Sequence, residues 1–195
     1  MPATLKIDFV SDIACPWCAV GLGALEQALG QLKGEVSADL HFQPFELNPH
    51  MGPGGQDLGE HLTEKYGSTP EQQAQIRATI AARGEEVGFK FNPGGRGRVY
   101  NTFNAHRLLY WAAKEYGLQR QAALKVELLN TYFCLAVNLD DQKNLLDAVT
   151  RAGLDSQRAK EILNSAEFAN EVRQEAVTYT NAGINSVPSI ILNDQ

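Results

Sequence analysis

Residues 4–11, TLKIDFVS, alternate Leu5, Ile7 and Phe9 against Lys6 and Asp8, the two-residue period of a strand. Four positions on, the chain reads Cys15-Pro16-Trp17-Cys18. Leu22, Leu25, Leu29 and Leu32 then recur at spacings of three and four, the period of an amphipathic helix. The change of period confines both cysteines to a strand-to-helix junction. Pro16 suits the first helical turn, where a missing N–H costs nothing, and Gly34 offers a stop. VSADLHFQPFEL predicts a second strand with Val36, Leu40, Phe42 and Phe45 inward, and Pro44 marks an edge or a bulge. Strand, helix and strand within about 45 residues make a βαβ unit with a right-handed crossover.

Beyond the second strand the pattern is mostly helical. NPHMGPGG at 48–55 and NPGGRGR at 92–98 read as loops. TPEQ at 69–72 predicts a capping box, with Thr69 as cap, Pro70 at the first position and Gln72 closing it. Ile76, Ile80 and Val87 extend that helix's apolar face. Phe103, His106, Tyr110 and Ala113 predict a further face, and Ala122, Val126, Leu129 and Phe133 another. Leu145, Val149 and Ala152, then Ala159 and Ile162, then Phe168, Val172, Ala176 and Tyr179 mark three more helices. VPSIIL at 187–192 returns to strand character. The expected organisation is a βαβ part over 1–52, a helical block over 53–182 and a final strand part over 183–195.

At 195 residues the chain is long enough to bury a core without disulfide staples. Its net charge of −6 sets it apart from proteins that hold nucleic acid or anionic membranes by charge. No apolar run approaches the roughly 18 residues of a membrane span. MPATLKIDFV shows no basic segment followed by an apolar one, so no secretory signal is expected and a cytoplasmic location is. In that reducing compartment a close cysteine pair serves chemistry or metal rather than permanent cross-linking.

Metal fails on ligand count. One C-x-x-C pair, a lone Cys134 and His41, His50, His61 and His106 without H-x(3–5)-H spacing do not supply a tetrahedral set. A structural disulfide closing so short a loop would add little stability. A redox pair fits. At the junction Cys15 meets unpaired helix N–H groups and the positive end of the helix dipole, and both favour thiolate over thiol. Thiolate is the attacking species in disulfide exchange. Cys18, one turn further in, is placed to resolve a mixed disulfide, while Pro16 and Trp17 hold the short loop and offer an apolar surface. This chemistry requires that the Cys15 sulfur not be deeply enclosed.

VSDIACPWCAVG at 10–21, PFELNP at 44–49, NTFNAHRLLYWA at 101–112 and GINSVPSIILN at 183–193 together resemble the DsbA family of thiol–disulfide oxidoreductases, in its FrnE-like branch. The resemblance implies an α/β chain with a thioredoxin-like fold and a large all-helical insertion. It implies Cys15 as nucleophile, Cys18 as resolving cysteine, and Val187–Pro188 as a cis dipeptide facing them. The Val187 backbone would then pair with an extended substrate. The implied partners are protein or peptide thiols and disulfides, with glutathione as an optional co-substrate, no nucleic acid and no membrane. No cofactor is implied beyond the Cys15–Cys18 disulfide itself. Where the family often carries a buried acid, six residues before the nucleophile, stands Phe9, and where a tyrosine is common after the pair stands Ala19. Asp8 and Asp12 are near, without a spacing that assigns either to the pair. The family continues past this strand into a partner strand and a helix, so a truncated chain is expected at Gln195.

Cys134 is expected as a small filler at a helix boundary rather than an electron relay to Cys18. His106 is expected as a core histidine with a hydrogen-bond partner rather than a thiolate stabiliser. His50 lies in a loop that could approach the site. GGRGR is expected as a solvated loop rather than an anion cradle such as a glutathione carboxylate would need. Glu85–Glu86 and Asp140–Asp141 read as surface charges. Two other functions remain open: a glutathione-dependent isomerase or transferase of the 2-hydroxychromene-2-carboxylate isomerase or kappa type, and a peptide-binding holdase. The first resembles enzymes that generally place serine where Cys15 stands.

Overall fold

The structure, a computed structural model, describes residues 3–195. β1 (Ala3–Ser11) runs into α1 (Pro16–Gln31), which returns to β2 (Val36–Pro44). β1 and β2 pair in parallel from Ala3 opposite Val36 to Ser11 opposite Pro44. The last strand, β5 (Ser189–Leu192), lies antiparallel on the other side of β1, with Ile7 opposite Leu192 and Val10 opposite Ser189. The sheet order is therefore β2-β1-β5. β1 is central, which is why Ile7, Phe9 and Val10 are all fully buried. Each such side chain contributes roughly 1.5–3 kcal/mol by leaving water. β2 is an edge strand, so Pro44 costs no ladder hydrogen bond on its open side.

Helices fill the chain between β2 and β5: α2 (Leu58–Tyr66), α3 (Pro70–Glu86), α4 (Phe103–Tyr116), α5 (Leu118–Leu129), α6 (Gln142–Arg151), α7 (Ser156–Leu163) and α8 (Ala169–Asn181). A π-helical turn (Asn130–Cys134) extends α5. Among the described residues no helix is long and apolar enough to cross a membrane. α5 packs against β2, α4 and α6. Its buried Gln121 donates from Nε2 to the Phe42 carbonyl (3.0 Å) and accepts the Phe42 N–H at Oε1 (3.1 Å). That pair of bonds closes the open edge of β2 at this point with a side chain in place of another strand.

The Thr69–Gln72 capping box forms as expected, with both reciprocal bonds present. Several details differ. α1 stops at Gln31 and Leu32 is exposed; Leu22 is buried, Leu25 and Leu29 half-buried, so burial fades toward the end of the helix. Ile76 is likewise exposed, since α3 buries only Gln73 and Gly84. α4 buries Ala105, His106, Leu108, Leu109, Trp111 and Ala112, leaving Phe103, Tyr110 and Ala113 half-exposed. It is flanked by α5 on one side and by α7 and α8 on others, so a broad arc is covered rather than one stripe. α5 buries Gln121, Leu124, Lys125, Leu128 and Leu129; of the expected Ala122, Val126, Leu129 and Phe133 stripe, Leu129 and Phe133 are buried while Ala122 and Val126 are half-buried. The two loops expected around 48–55 and 92–98 are joined by a short antiparallel ribbon, β3 (Gln56–Asp57) with β4 (Arg98–Val99).

The Val187–Pro188 peptide preceding β5 is cis. Pro188 packs against α1 where the helix carries Gly21; a Cβ there would stand 3.0 Å from Pro188 Cγ and 3.8 Å from the Phe9 ring. Gly30, near the end of the same helix, faces open space. Two substitutions in one helix should thus move stability in opposite directions. Gly30→Ala is expected to raise stability to urea by about 0.5–1 kcal/mol through helix propensity. Gly21→Val is expected to lower it by about 1–3 kcal/mol, because crowding against Pro188 outweighs the propensity gain.

Candidate active site

The junction between β1 and α1 is organised by Asp12, whose side chain is fully buried. Its Oδ1 accepts the Ala14 N–H (3.1 Å) and its Oδ2 the Leu47 N–H (2.7 Å). Its backbone carbonyl accepts the Cys15 N–H (3.2 Å). His106 Nε2 stands 3.5 Å from Oδ1, too far for a well-made hydrogen bond, and among the described residues Nε2 has no other partner. Burial by itself would raise the Asp12 pKa. The His106 ring, the Leu47 N–H and the Thr102 side chain outweigh it, so the carboxyl lies below its ordinary range and Asp12 is an anion.

Held this way, Cys15 is the N-cap of α1, with Pro16 at the first helical position. The Cys18 N–H donates to the Cys15 carbonyl (3.1 Å), closing the first turn and bringing the two sulfurs together. Both cysteines are reduced in this structure. Their thiols are driven apart in acidity. The Cys15 pKa is lowered, first by a hydrogen bond from the Cys18 thiol, which works against burial; the Cys18 and Trp17 amides add to the lowering, and the Asp12 charge opposes it. The Cys18 pKa is raised well above that of a free thiol by burial and then by the Cys15 sulfur. One sulfur is ready to attack and the other keeps its proton.

The expectation of an open sulfur is corrected. Cys15 exposes only 4% of its surface and Cys18 none. The cover over Cys15 includes the cis dipeptide: its Sγ–H donates to the Val187 carbonyl at 3.6 Å. Val187 and Pro188 are themselves half-buried, whereas Trp17 is 40% exposed and forms an apolar surface beside the junction. Pro16, Trp17, Val187 and Pro188 therefore lie around the two cysteines.

Beneath them sits a residue that no sequence pattern singled out. Lys125 of α5 is fully buried, its Nζ donating to Ser11 Oγ (2.9 Å) and lying 5.7 Å from the centre of the Phe42 ring. Burial pushes its pKa down to about 8, while Cys18, Asp12 and Cys15 pull it back up. A signal was present all the same. Gln121, Leu124 and Leu128 share a helical face that includes Lys125, but the neighbouring Ala122–Val126 stripe reads as more apolar.

The other candidates fall elsewhere. His106 is in the core as expected, yet lacks the expected hydrogen bond at Nε2. His50 is exposed. Cys134 is half-buried, and burial with the Glu127 charge raises its pKa, the opposite of a reactive thiolate. In the GGRGR segment the Arg96 guanidinium stacks 4.9 Å from the Tyr132 and Phe133 rings. Arg98 donates to the Gly54 and Gly55 carbonyls, both at 2.9 Å. These arginines brace a loop; they do not present a free cradle. Among the described residues no three His, Cys, Asp or Glu side chains gather as metal ligands.

Comparison with known proteins identifies the family and the fold. The chain is 30% identical to a probable DsbA oxidoreductase from Streptomyces coelicolor, which superposes with a TM-score of 0.88 over 97% of this chain and 80% of that one. Two structures share the fold at 14% identity. One is a 2-hydroxychromene-2-carboxylate isomerase (TM-score 0.70; 97% of this chain, 86% of that one). The other is the cytosolic disulfide reductase DsbM of Pseudomonas aeruginosa with GSH (TM-score 0.64; 97% of this chain, 87% of that one). The family model of the DSBA-like thioredoxin domain matches residues 6–195, and the chain belongs to that family of thioredoxin-fold oxidoreductases with a helical insertion.

Proposed function

We propose that the chain is a cytoplasmic thiol–disulfide oxidoreductase of the FrnE-like branch, working through its CPWC dithiol. Cys15 attacks a substrate disulfide, forming a mixed disulfide and releasing one substrate thiolate. Cys18 then attacks Cys15, and the second substrate sulfur leaves. The reverse sequence oxidises a substrate dithiol. The observation that carries this reading is the placement of the two cysteines, Cys15 capping α1 and Cys18 one turn behind it, a placement that lowers the pKa of the first thiol and raises that of the second. A nucleophile that ionises easily and a resolver that does not is the division of labour that exchange needs.

In this reading Val187 and Pro188 form the substrate platform. A backbone carbonyl 3.6 Å from the attacking sulfur marks where an extended segment would be held against it. Pro16 and Trp17 shape the loop, with the exposed Trp17 as an apolar contact for a peptide. Because Cys15 is nearly covered, exchange requires its contact with Val187 to open as substrate enters, and the partner must be slender at the reacting sulfur: an unfolded segment, or a small thiol such as glutathione as co-substrate. We assign residues 1–52 and 183–195 to the thioredoxin-like part and 53–182 to the helical insertion. The fold shared with the isomerase carries no chemistry of its own.

Cys15→Ser should abolish reduction of insulin disulfides, and Cys18→Ser should accumulate mixed disulfides visible on non-reducing gels. Full activity in Cys15→Ser would overturn the assignment. The two acidity shifts also set the pH dependence. Alkylation of Cys15 by iodoacetamide should rise with pH through a midpoint below the ~8.5 of a free thiol. Cys18, measured in Cys15→Ser where no mixed disulfide can form, should titrate above that value, since burial is the larger cause of its shift. A Cys15 midpoint at or above the free-thiol value contradicts the reading.

A further inference from the structure

Lys125 presents a physical problem. Its side chain is fully covered, and an ammonium brings three donors of which one is bonded, to Ser11 Oγ at 2.9 Å. Among the described residues no carboxylate lies within ion-pair distance of it. Buried charges are normally paired or neutralised, because desolvation is costly. Among the described residues this lysine has no permanent counter-ion, which leaves its charge available to a group that ionises beside it. Ser11 and Asp12 are the last strand residue and the first loop residue before the cysteines. Lys125 approaches that pair of residues through the Ser11 hydroxyl. The Asp12 carbonyl accepts the Cys15 N–H and the Cys15 carbonyl accepts the Cys18 N–H, so both cysteines follow within one turn of that same junction, where the Lys125 charge favours Cys18 ionisation. Two buried groups that share neighbours at one junction, one a cation and one a latent anion, are in each other's field.

We propose that Lys125 is the buried counter-charge of the cysteine pair, a positioning residue held by Ser11 so that negative charge can pass through Cys18 when the mixed disulfide is resolved. The proposal rests on the exchange reaction proposed above. In that step the Cys18 sulfur attacks Cys15 Sγ and the Cys15–Cys18 bond forms. The bond from Cys15 to the substrate sulfur breaks, its electron pair leaves with the substrate, and the proton that began on Cys18 ends on the departing thiol. Cys18 is otherwise reluctant to ionise, being covered and next to another sulfur. A fixed positive charge lowers that barrier without touching substrate. The titratable groups acting on the ammonium are Cys18, Asp12 and Cys15, all from the β1–α1 junction and α1. β2 meets it with the Phe42 ring, α4 reaches Asp12 through His106, and Gln121 of its own helix is engaged with the Phe42 backbone.

Lys125→Met keeps the length of the side chain and removes the charge. It is expected to fold, and to melt higher than the parent at neutral pH, since it removes a desolvated ammonium. Because the lysine's folded pKa is depressed to about 8 from 10.5, that gain should be full below pH 8 and fade as pH rises to 10.5. In a Cys15→Ser background the Cys18 titration should move up by about one unit on Lys125→Met, and in the chain that keeps both cysteines resolution of a Cys15 mixed disulfide at pH 7 should slow about tenfold. An unmoved Cys18 titration and an unchanged resolution rate would overturn the proposal.

A second measurement needs no variant. NMR titration of the Lys125 ε-methylene in the unaltered protein should give a higher pKa in the reduced than in the oxidised form, because only the reduced pair offers it an anion. Equal values in the two forms overturn the proposal. Failure here with Cys15→Ser inactive leaves the exchange reaction standing, whereas exchange activity surviving in Cys15→Ser removes the reaction itself.

Discussion

A carboxylate buried under a loop is tolerated only if the loop satisfies it, and this structure uses that demand to build its reactive turn. Asp12 binds the amides of Ala14 and Leu47 through its two oxygens and the amide of Cys15 through its carbonyl. Each bond fixes a different piece: the loop itself, the exit of β2, and the cap of α1. Charge-assisted bonds of this kind contribute about 1.5–3 kcal/mol each, and a lost partner leaves a bare anion in the core. The position of the Cys15 sulfur against the Val187 carbonyl is a consequence of this arrangement. A helix dipole alone would favour a thiolate at the cap, but it would not decide where that thiolate points.

The parts legible in the sequence were those governed by local pattern. The period change around residues 11 to 16 located the βαβ unit and put Cys15 at a helix start, where it stands. The Thr69–Gln72 box was legible for the same reason, since its chemistry spans three residues. The errors arose where several elements share a core. α4 and α5 are covered over a broad arc, so the most apolar stripe was not the most buried one, and Lys125 was missed with it. The β3–β4 ribbon has two residues on each side and no periodicity to detect. The cover over Cys15 includes Val187, which is 172 positions away, a relation that spacing cannot express.

The segment NTFNAHRLLYWA illustrates a middle case, where a motif was visible but its purpose was not. Asn101 Oδ1 accepts the Phe103 N–H (2.8 Å) as α4 begins. His106 stands beside Asp12. Arg107, one position on, donates to the Ile162, Ser165 and Glu167 carbonyls and so ties down the turn between α7 and α8. One helical turn thus reaches the reactive junction with one side chain and the far helices with the next. The helical segment is wired to the sheet through polar groups as well as through packing.

That wiring bears on the poise of the cysteine pair. Asp12, from the β1–α1 loop, disfavours the Cys15 thiolate, and Lys125, from the helical segment, favours an ionised Cys18. Each such effect is amplified by burial, where a charge is screened far less than in water. Thiolate stability sets the balance between dithiol and disulfide, and about 30 mV in potential corresponds to a tenfold change in that balance. A pair flanked by one fixed anion and one cation with a pKa near neutrality has its balance set by the difference between them. Small displacements of α5 relative to β1 would alter that difference more than they alter any contact at the sulfur. In the proposed exchange reaction, the helical segment would tune the direction from beneath the site through Lys125.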